Sequence, residues 1–126
     1  MLNRIKRGFT LIELLIVMAL IALLLTIALP RYFNHLETSR ETILKQDLAV
    51  MRDAIDKFHG DRGRYPDGLD ELVDARYLRS RPVDPITERH DTWLTTQPPG
   101  EERGLMYDIA SGAPGTARDG SRYATW

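Results

Sequence analysis

The stretch Gly8-Phe9-Thr10-Leu11-Ile12-Glu13, continued by the uncharged run Leu14–Leu29 (LLIVMALIALLLTIAL), decides the reading of this chain. As a helix, Leu14–Leu29 alone is about 24 Å long, short of a bilayer's hydrocarbon core. Starting at Phe9 it reaches about 31 Å, which fits. The span therefore takes in Glu13. A carboxylate at that depth is unfavourable by roughly 2.5–3.5 kcal/mol on insertion scales, so its presence needs a reason. Arg4, Lys6 and Arg7 precede the run, and this positive charge places the N-terminus on the cytoplasmic side.

Three simpler readings compete. A secretory signal peptide shares the basic start and apolar core but ends in a small-x-small cleavage site. This run instead ends Ile27-Ala28-Leu29-Pro30-Arg31. A buried core helix would not normally carry a basic leader at the extreme N-terminus. A plain single-pass anchor fits the length but leaves Glu13 unexplained.

Gly8, the Phe9 that follows it and Glu13 four residues further on make this segment resemble the class III signal of type IV pilins and type II secretion pseudopilins. The resemblance implies that a prepilin peptidase cuts after Gly8, that the new amino terminus on Phe9 is N-methylated, and that Glu13 serves assembly. It divides the chain into a cytoplasmic leader (1–8), a transmembrane and filament-core helix (9–30) and a periplasmic globular head (31–126). It implies an inner-membrane protein drawn into a periplasmic filament. The implied partners are further copies of the chain, the peptidase, an inner-membrane assembly platform, minor pseudopilins and membrane lipid. In this scheme Glu13 of one subunit neutralises the Phe9 amine of a neighbour, because a paired charge is tolerated where an unpaired one is penalised by several kcal/mol.

With 126 residues there is room for one anchor helix and one small domain. The 17 basic and 18 acidic residues leave no net positive charge, and no basic stripe of the kind a nucleic-acid binder needs is present. There are no cysteines, which excludes the Cys pair that staples many type IV pilins as well as any cysteine-built zinc site.

Pro30 removes one backbone hydrogen bond and is expected to kink or break the helix; the pilin resemblance implies a kink or a locally melted stretch, with the helix continuing beyond it. Beyond it, Leu44, Leu48, Met51, Ile55 and Phe58 step at helical spacing, with Lys45, Asp47, Arg52, Asp53, Asp56 and Lys57 on a solvated face. This predicts one helix from about Phe9 to His59, stopped at Gly60. The stripe is too short for a coiled-coil seam and reads as core against a sheet. Asp67 is expected to cap a short second helix bearing Leu69, Leu72 and Val73. Pro82 and Pro85 make an extended loop. Thr92–Thr96, the alternation Leu105/Tyr107/Ile109 and Ser121–Trp126 read as three short strands. The expected fold class is α+β: a long N-terminal helix, transmembrane in its first half, packed by its second half on a small antiparallel sheet of about three strands.

Gly63-Arg64-Tyr65-Pro66, the segment from Tyr77-Leu78 to Asp84-Pro85, and the terminal Asp119, Gly120, Tyr123 and Trp126 are similar to the major, G-type pseudopilin branch. That branch commonly holds a calcium ion in the loop before its last strand. Here Ser111–Gly120 offers Asp119 alone, with Asp108 upstream and Arg118 in an opposing position. Calcium takes six to eight oxygens, several of them from carboxylates, so Asp108 and Asp119 are weak candidates and no bound metal or other cofactor is expected. On this reading Asp119-Gly120 is a turn, and Arg118 supplies charge in place of an ion. His35, His59 and His90 lie far apart in sequence, and no nucleophile elbow, HExxH, P-loop or GxGxxG is present. A non-enzyme is expected. The implied function is a structural subunit of a type II secretion pseudopilus. A type IV pilin, or a membrane-anchored binding domain that never polymerises, is the alternative.

Overall fold

The computed structural model describes residues 7–126, so Arg4 and Lys6 of the basic leader lie outside the described residues. The chain divides into two compact units, Met1–Glu37 and Thr38–Trp126. Helix α1 (Leu11–Arg62, 52 residues) contributes to both.

In the first unit the helix is apolar on every side from Leu14 to Leu29, which is the composition of a helix that packs against apolar neighbours or lipid rather than water. The Thr26 hydroxyl in this stretch donates to the Leu23 carbonyl at 2.6 Å and so is satisfied within its own helix. The helix runs through Pro30 without a break, so the stretch is not melted here.

In the second unit the helix becomes amphipathic. Leu44, Leu48, Met51, Ile55 and Phe58 are all buried, as their spacing predicts, and Ala54 joins them. Burial of each larger side chain contributes about 1.5–3 kcal/mol relative to exposure. The helix passes Gly60 and ends at Arg62. Gly63 supplies the stop, with a φ of 69° and its amide bonded to the His59 carbonyl at 2.9 Å. This is the left-handed position after a helix that glycine occupies without strain. Gly60 meets no such requirement and remains helical.

Helix α2 (Leu69–Asp74) lays Leu69 and Leu72 on the same core. Asp67 is not its cap: Gly68 occupies that position with no side-chain cap bond. The Asp67 amide instead donates to the Glu71 carboxylate at 2.8 Å. Arg64 holds the other Glu71 oxygen and, as the largest cause, keeps that carboxyl below the usual range.

The sheet has two antiparallel strands, β1 (Trp93–Thr96) and β2 (Asp108–Ser111), with Trp93 opposite Ser111 and Thr96 opposite Asp108. The expected alternation from Leu105 fails for a backbone reason. The amides of Leu105 and Met106 donate to the Pro66 carbonyl at 3.2 and 2.9 Å, and only at Tyr107 does bonding pass to β1, through the Thr96 carbonyl at 2.8 Å. Met106 and Ile109 are therefore the buried residues, whereas Leu105 and Tyr107 are exposed. Gly104 permits this close approach. Its φ is 106°, and a Cβ there would collide with the Tyr65 carbonyl. The expected third strand is a 3₁₀ turn over Tyr123–Thr125, preceded by a single bridge between Thr116 and Arg122.

Candidate functional site

Arg7, Gly8, Phe9 and Thr10 precede α1 in non-helical backbone, and Phe9 is 84% exposed. A peptidase needs an accessible chain outside regular helix at the bond it cuts, and the Gly8–Phe9 junction is exposed and non-helical. Arg7, Gly8, Phe9 and Glu13 line one shallow concavity. The structure therefore brings together the residues that the leader motif singled out.

Thr10 starts the helix. Its hydroxyl oxygen accepts the Glu13 amide at 3.1 Å, and its carbonyl accepts the Leu14 amide at 3.1 Å. Thr10-Leu11-Ile12-Glu13 is a Thr-x-x-Glu sequence, the spacing of a capping box, in which the first residue satisfies an orphan amide of the opening turn. Glu13 is also the acidic residue of that turn, where the helix dipole favours negative charge. The reading of Glu13 as an assembly residue missed this local role, although the four-residue spacing carries the signal.

From Phe9 to Leu36 the large apolar side chains of the first unit are exposed. None of the residues in its most apolar stretch is buried, and the helix is long and apolar enough to cross a membrane. A contiguous apolar surface of this extent marks a membrane or protein contact.

In the second unit three polar devices hold the head, none of which was identified from sequence. Arg52, assigned to the solvated face, donates through Nε to Asp108 Oδ1 at 2.9 Å, through a terminal nitrogen to the Ile109 carbonyl at 2.9 Å, and also to the Trp126 carbonyl. Asp84 is fully buried. Its Oδ1 accepts the Ile86 amide at 2.8 Å and its Oδ2 accepts the Ser111 hydroxyl, which ties the proline loop to β2. Trp93 strengthens the same tie by donating to the Pro82 carbonyl at 2.8 Å. The third device is a set of contacts from Glu41 and its neighbours to the C-terminal segment.

Each of the weak calcium candidates has its Oδ1 engaged. Asp108 pairs with Arg52. Asp119 accepts both the amide and the hydroxyl of Ser121, at 2.9 and 2.5 Å, and these bonds hold its carboxyl below the usual range. Among the described residues no group of three or more His, Cys, Asp or Glu converges to hold a metal. Of the three histidines, His59 stacks on Tyr65 at 4.1 Å and bonds Glu102 at 3.1 Å, while the His90 carbonyl accepts the Arg81 guanidinium.

The family model described as "Prokaryotic N-terminal methylation motif" matches residues 3–29. The fimbrial protein EcpC of Eikenella corrodens is 30% identical over 126 residues, covering 96% of this chain and 82% of that protein. The chain belongs to the type IV pilin and pseudopilin superfamily. Type II secretion system core protein G of Escherichia coli K12 is 27% identical over 119 residues, covering 86% of this chain and 82% of that protein. The type IV major alpha-pilin of Moraxella bovis reaches 45% identity over 51 residues, which is 40% of this chain and 32% of that pilin. No solved structure gives a significant match. The superfamily's N-terminal motif thus falls on the segment where Gly8, Phe9, Glu13 and the apolar helix are found, and the protein is a pilin-like subunit.

Proposed function

We propose that this chain is a structural subunit of a type II secretion pseudopilus, cut after Gly8, N-methylated on Phe9 and polymerised through its helical stem. The observation that carries the proposal is the exposed apolar helix headed by Glu13, just after a non-helical Gly8–Phe9 junction. Before assembly the stem rests in lipid; afterwards it rests among the stems of other copies. Its apolar surface stays out of water in both states, so a subunit can leave the bilayer without a large hydrophobic penalty. Cleavage creates a cationic amine on Phe9 close to the depth of Glu13. Pairing of that amine with Glu13 of another copy favours one register over stray insertions. Pro30 gives the stem a point of reduced backbone bonding where it can adapt to its neighbours.

In this proposal the leader is cytoplasmic and the head periplasmic, an inner-membrane assembly platform adds subunits, and minor pseudopilins complete the filament. The head serves as packing surface rather than catalyst, and calcium takes no part. The likeness to core protein G over 86% of this chain supports the secretion branch, as does a head with no cysteine pair. The likeness to a fimbrial protein over 96% of the chain favours a second reading, a surface type IV pilin.

Complementation separates the two. Expressed in a strain deleted for its own type II core protein G, the chain should restore secretion and form short periplasmic filaments. Surface fibres with no recovery of secretion would replace the pseudopilus by the pilus.

A further inference from the structure

Thr38, Glu41, Lys45 and Arg52 of α1 step by three, four and seven residues, so they lie along one side of the helix. They flank the buried stripe that begins at Leu44, and every one of them meets the last ten residues of the chain. The Arg118 guanidinium donates to the Thr38 hydroxyl. Glu41 Oε1 accepts the Arg118 backbone amide at 2.9 Å and the Tyr123 hydroxyl at 3.2 Å. Lys45 Nζ lies 4.6 Å from the centroid of the Trp126 ring, whose face attracts a cation. Arg52 donates to the Trp126 carbonyl.

The segment is also tied to itself. The Ala117 amide donates to the Ser121 carbonyl at 2.7 Å, the Gly120 amide to the Ala117 carbonyl at 3.0 Å, and Trp126 Nε1 to the Ser121 hydroxyl at 2.7 Å. Tyr123 and Trp126 pack edge to face with centroids 5.2 Å apart.

A calcium ion in this loop would need several oxygens not already committed to other donors. Asp108 is paired with Arg52, both protons that Ser121 offers go to Asp119, and the loop brings its own cation in Arg118. Each of the two carboxylates already uses its Oδ1, and among the described residues no third acidic group converges with them, so the donor set does not fit the ion that the G-type resemblance implies. We infer that the polar ladder Thr38–Glu41–Lys45–Arg52 closes the C-terminal segment by itself, so the head folds and holds its last turn without a divalent cation. Both ends of the segment are matched: Thr38 and Glu41 of the helix accept its donors, and Lys45 and Arg52 of the helix meet the Trp126 ring and carbonyl.

The test uses the full-length chain in detergent micelles, with thermal unfolding followed by near-UV circular dichroism and with amide hydrogen exchange over residues 112–126. Calcium chloride or EGTA should leave the wild-type Tm unchanged, and titration calorimetry with calcium chloride should give no binding heat. Glu41→Ala should lower Tm by about 4–8 °C, the scale for losing one to two hydrogen bonds in a domain of this size, and should speed exchange at 117–122. The milder Tyr123→Phe should speed exchange in the same amides with a smaller change in Tm. Lys57→Ala, on a pair outside the ladder, should move neither. A wild-type Tm that climbs by several degrees with calcium would overturn the inference. So would unchanged exchange in Tyr123→Phe.

Discussion

The Glu13 amide donates to the Thr10 hydroxyl at 3.1 Å, in the last residue before α1 begins. Glu13 therefore occupies a position where a carboxylate stabilises its own helix, in addition to the proposed pairing with the amine of another copy. Glutamine separates the two roles, because Gln also completes a capping box but carries no charge. Glu13→Gln should leave cleavage and membrane insertion intact and reduce filament yield to the level of Glu13→Ala, as judged by shearing and electron microscopy. Filaments from Glu13→Gln at wild-type yield would assign the residue to capping.

Ser111 and Asp84 form a buried pair, and burial fixes the expected loss. Ser111→Ala leaves Asp84 Oδ2 without a donor in a water-free position. That should destabilise the head by about 1–3 kcal/mol, measured by urea unfolding of the full chain in micelles. The asymmetry between breaking a buried pair and removing it gives a second check. Combining Asp84→Asn with Ser111→Ala should cost less than the sum of the two single changes.

Asp47 is half-buried on α1. Desolvation, followed by repulsion from Asp84, raises its carboxyl above the ordinary range. A raised carboxylate is an ionised group disfavoured in the folded state. The penalty is present in full above the folded pKa and vanishes as pH falls below the unfolded value. Asp47→Asn should therefore raise Tm at neutral pH, with the gain shrinking as the solution is acidified through the carboxylate range. A gain independent of pH would show that charge is not its cause.

Arg52 joins α1 to Asp108, to the Ile109 carbonyl and to the Trp126 carbonyl. Lysine is a point charge without the planar fork and cannot serve three acceptors in these directions. Arg52→Lys should lower stability nearly as much as Arg52→Ala, by about 1–3 kcal/mol, and both should increase hydrogen exchange at Tyr123–Trp126. Full stability in Arg52→Lys would mean that charge alone suffices.

Much of the fold was legible because it rests on local periodicity. The stripe Leu44–Phe58 declares itself at a spacing of three and four, and the apolar stem needs only its length. Of the residues quoted for the G-type resemblance, Leu78 belongs to that core, Tyr65 and Tyr77 pack against it, and Pro66 is buried. What escaped the sequence depends on partners remote along the chain. Leu105 alternates like a strand residue, but its amide goes to Pro66. Ser121–Trp126 has strand composition, yet the segment turns because Trp126 bonds Ser121, the Thr125 and Trp126 amides bond carbonyls three residues back, and the Tyr123 hydroxyl reaches Glu41 of α1. Arg52 looks like any solvated cation until Asp108 and Trp126 are placed beside it. Two signals were present and could have been used: Thr10-x-x-Glu13 for the cap, and Asp84 before Pro85 for a side chain that bonds its own loop, as its contact with the Ile86 amide confirms.

The central claim is that this chain enters the pilin pathway at Gly8–Phe9 and is more than an anchored domain. Intact-mass and N-terminal analysis of the membrane-expressed protein, with and without an active prepilin peptidase, tests it most directly. The account predicts a peptidase-dependent product that begins with N-methyl-Phe9. A chain still beginning at Met1 beside an active peptidase would contradict it.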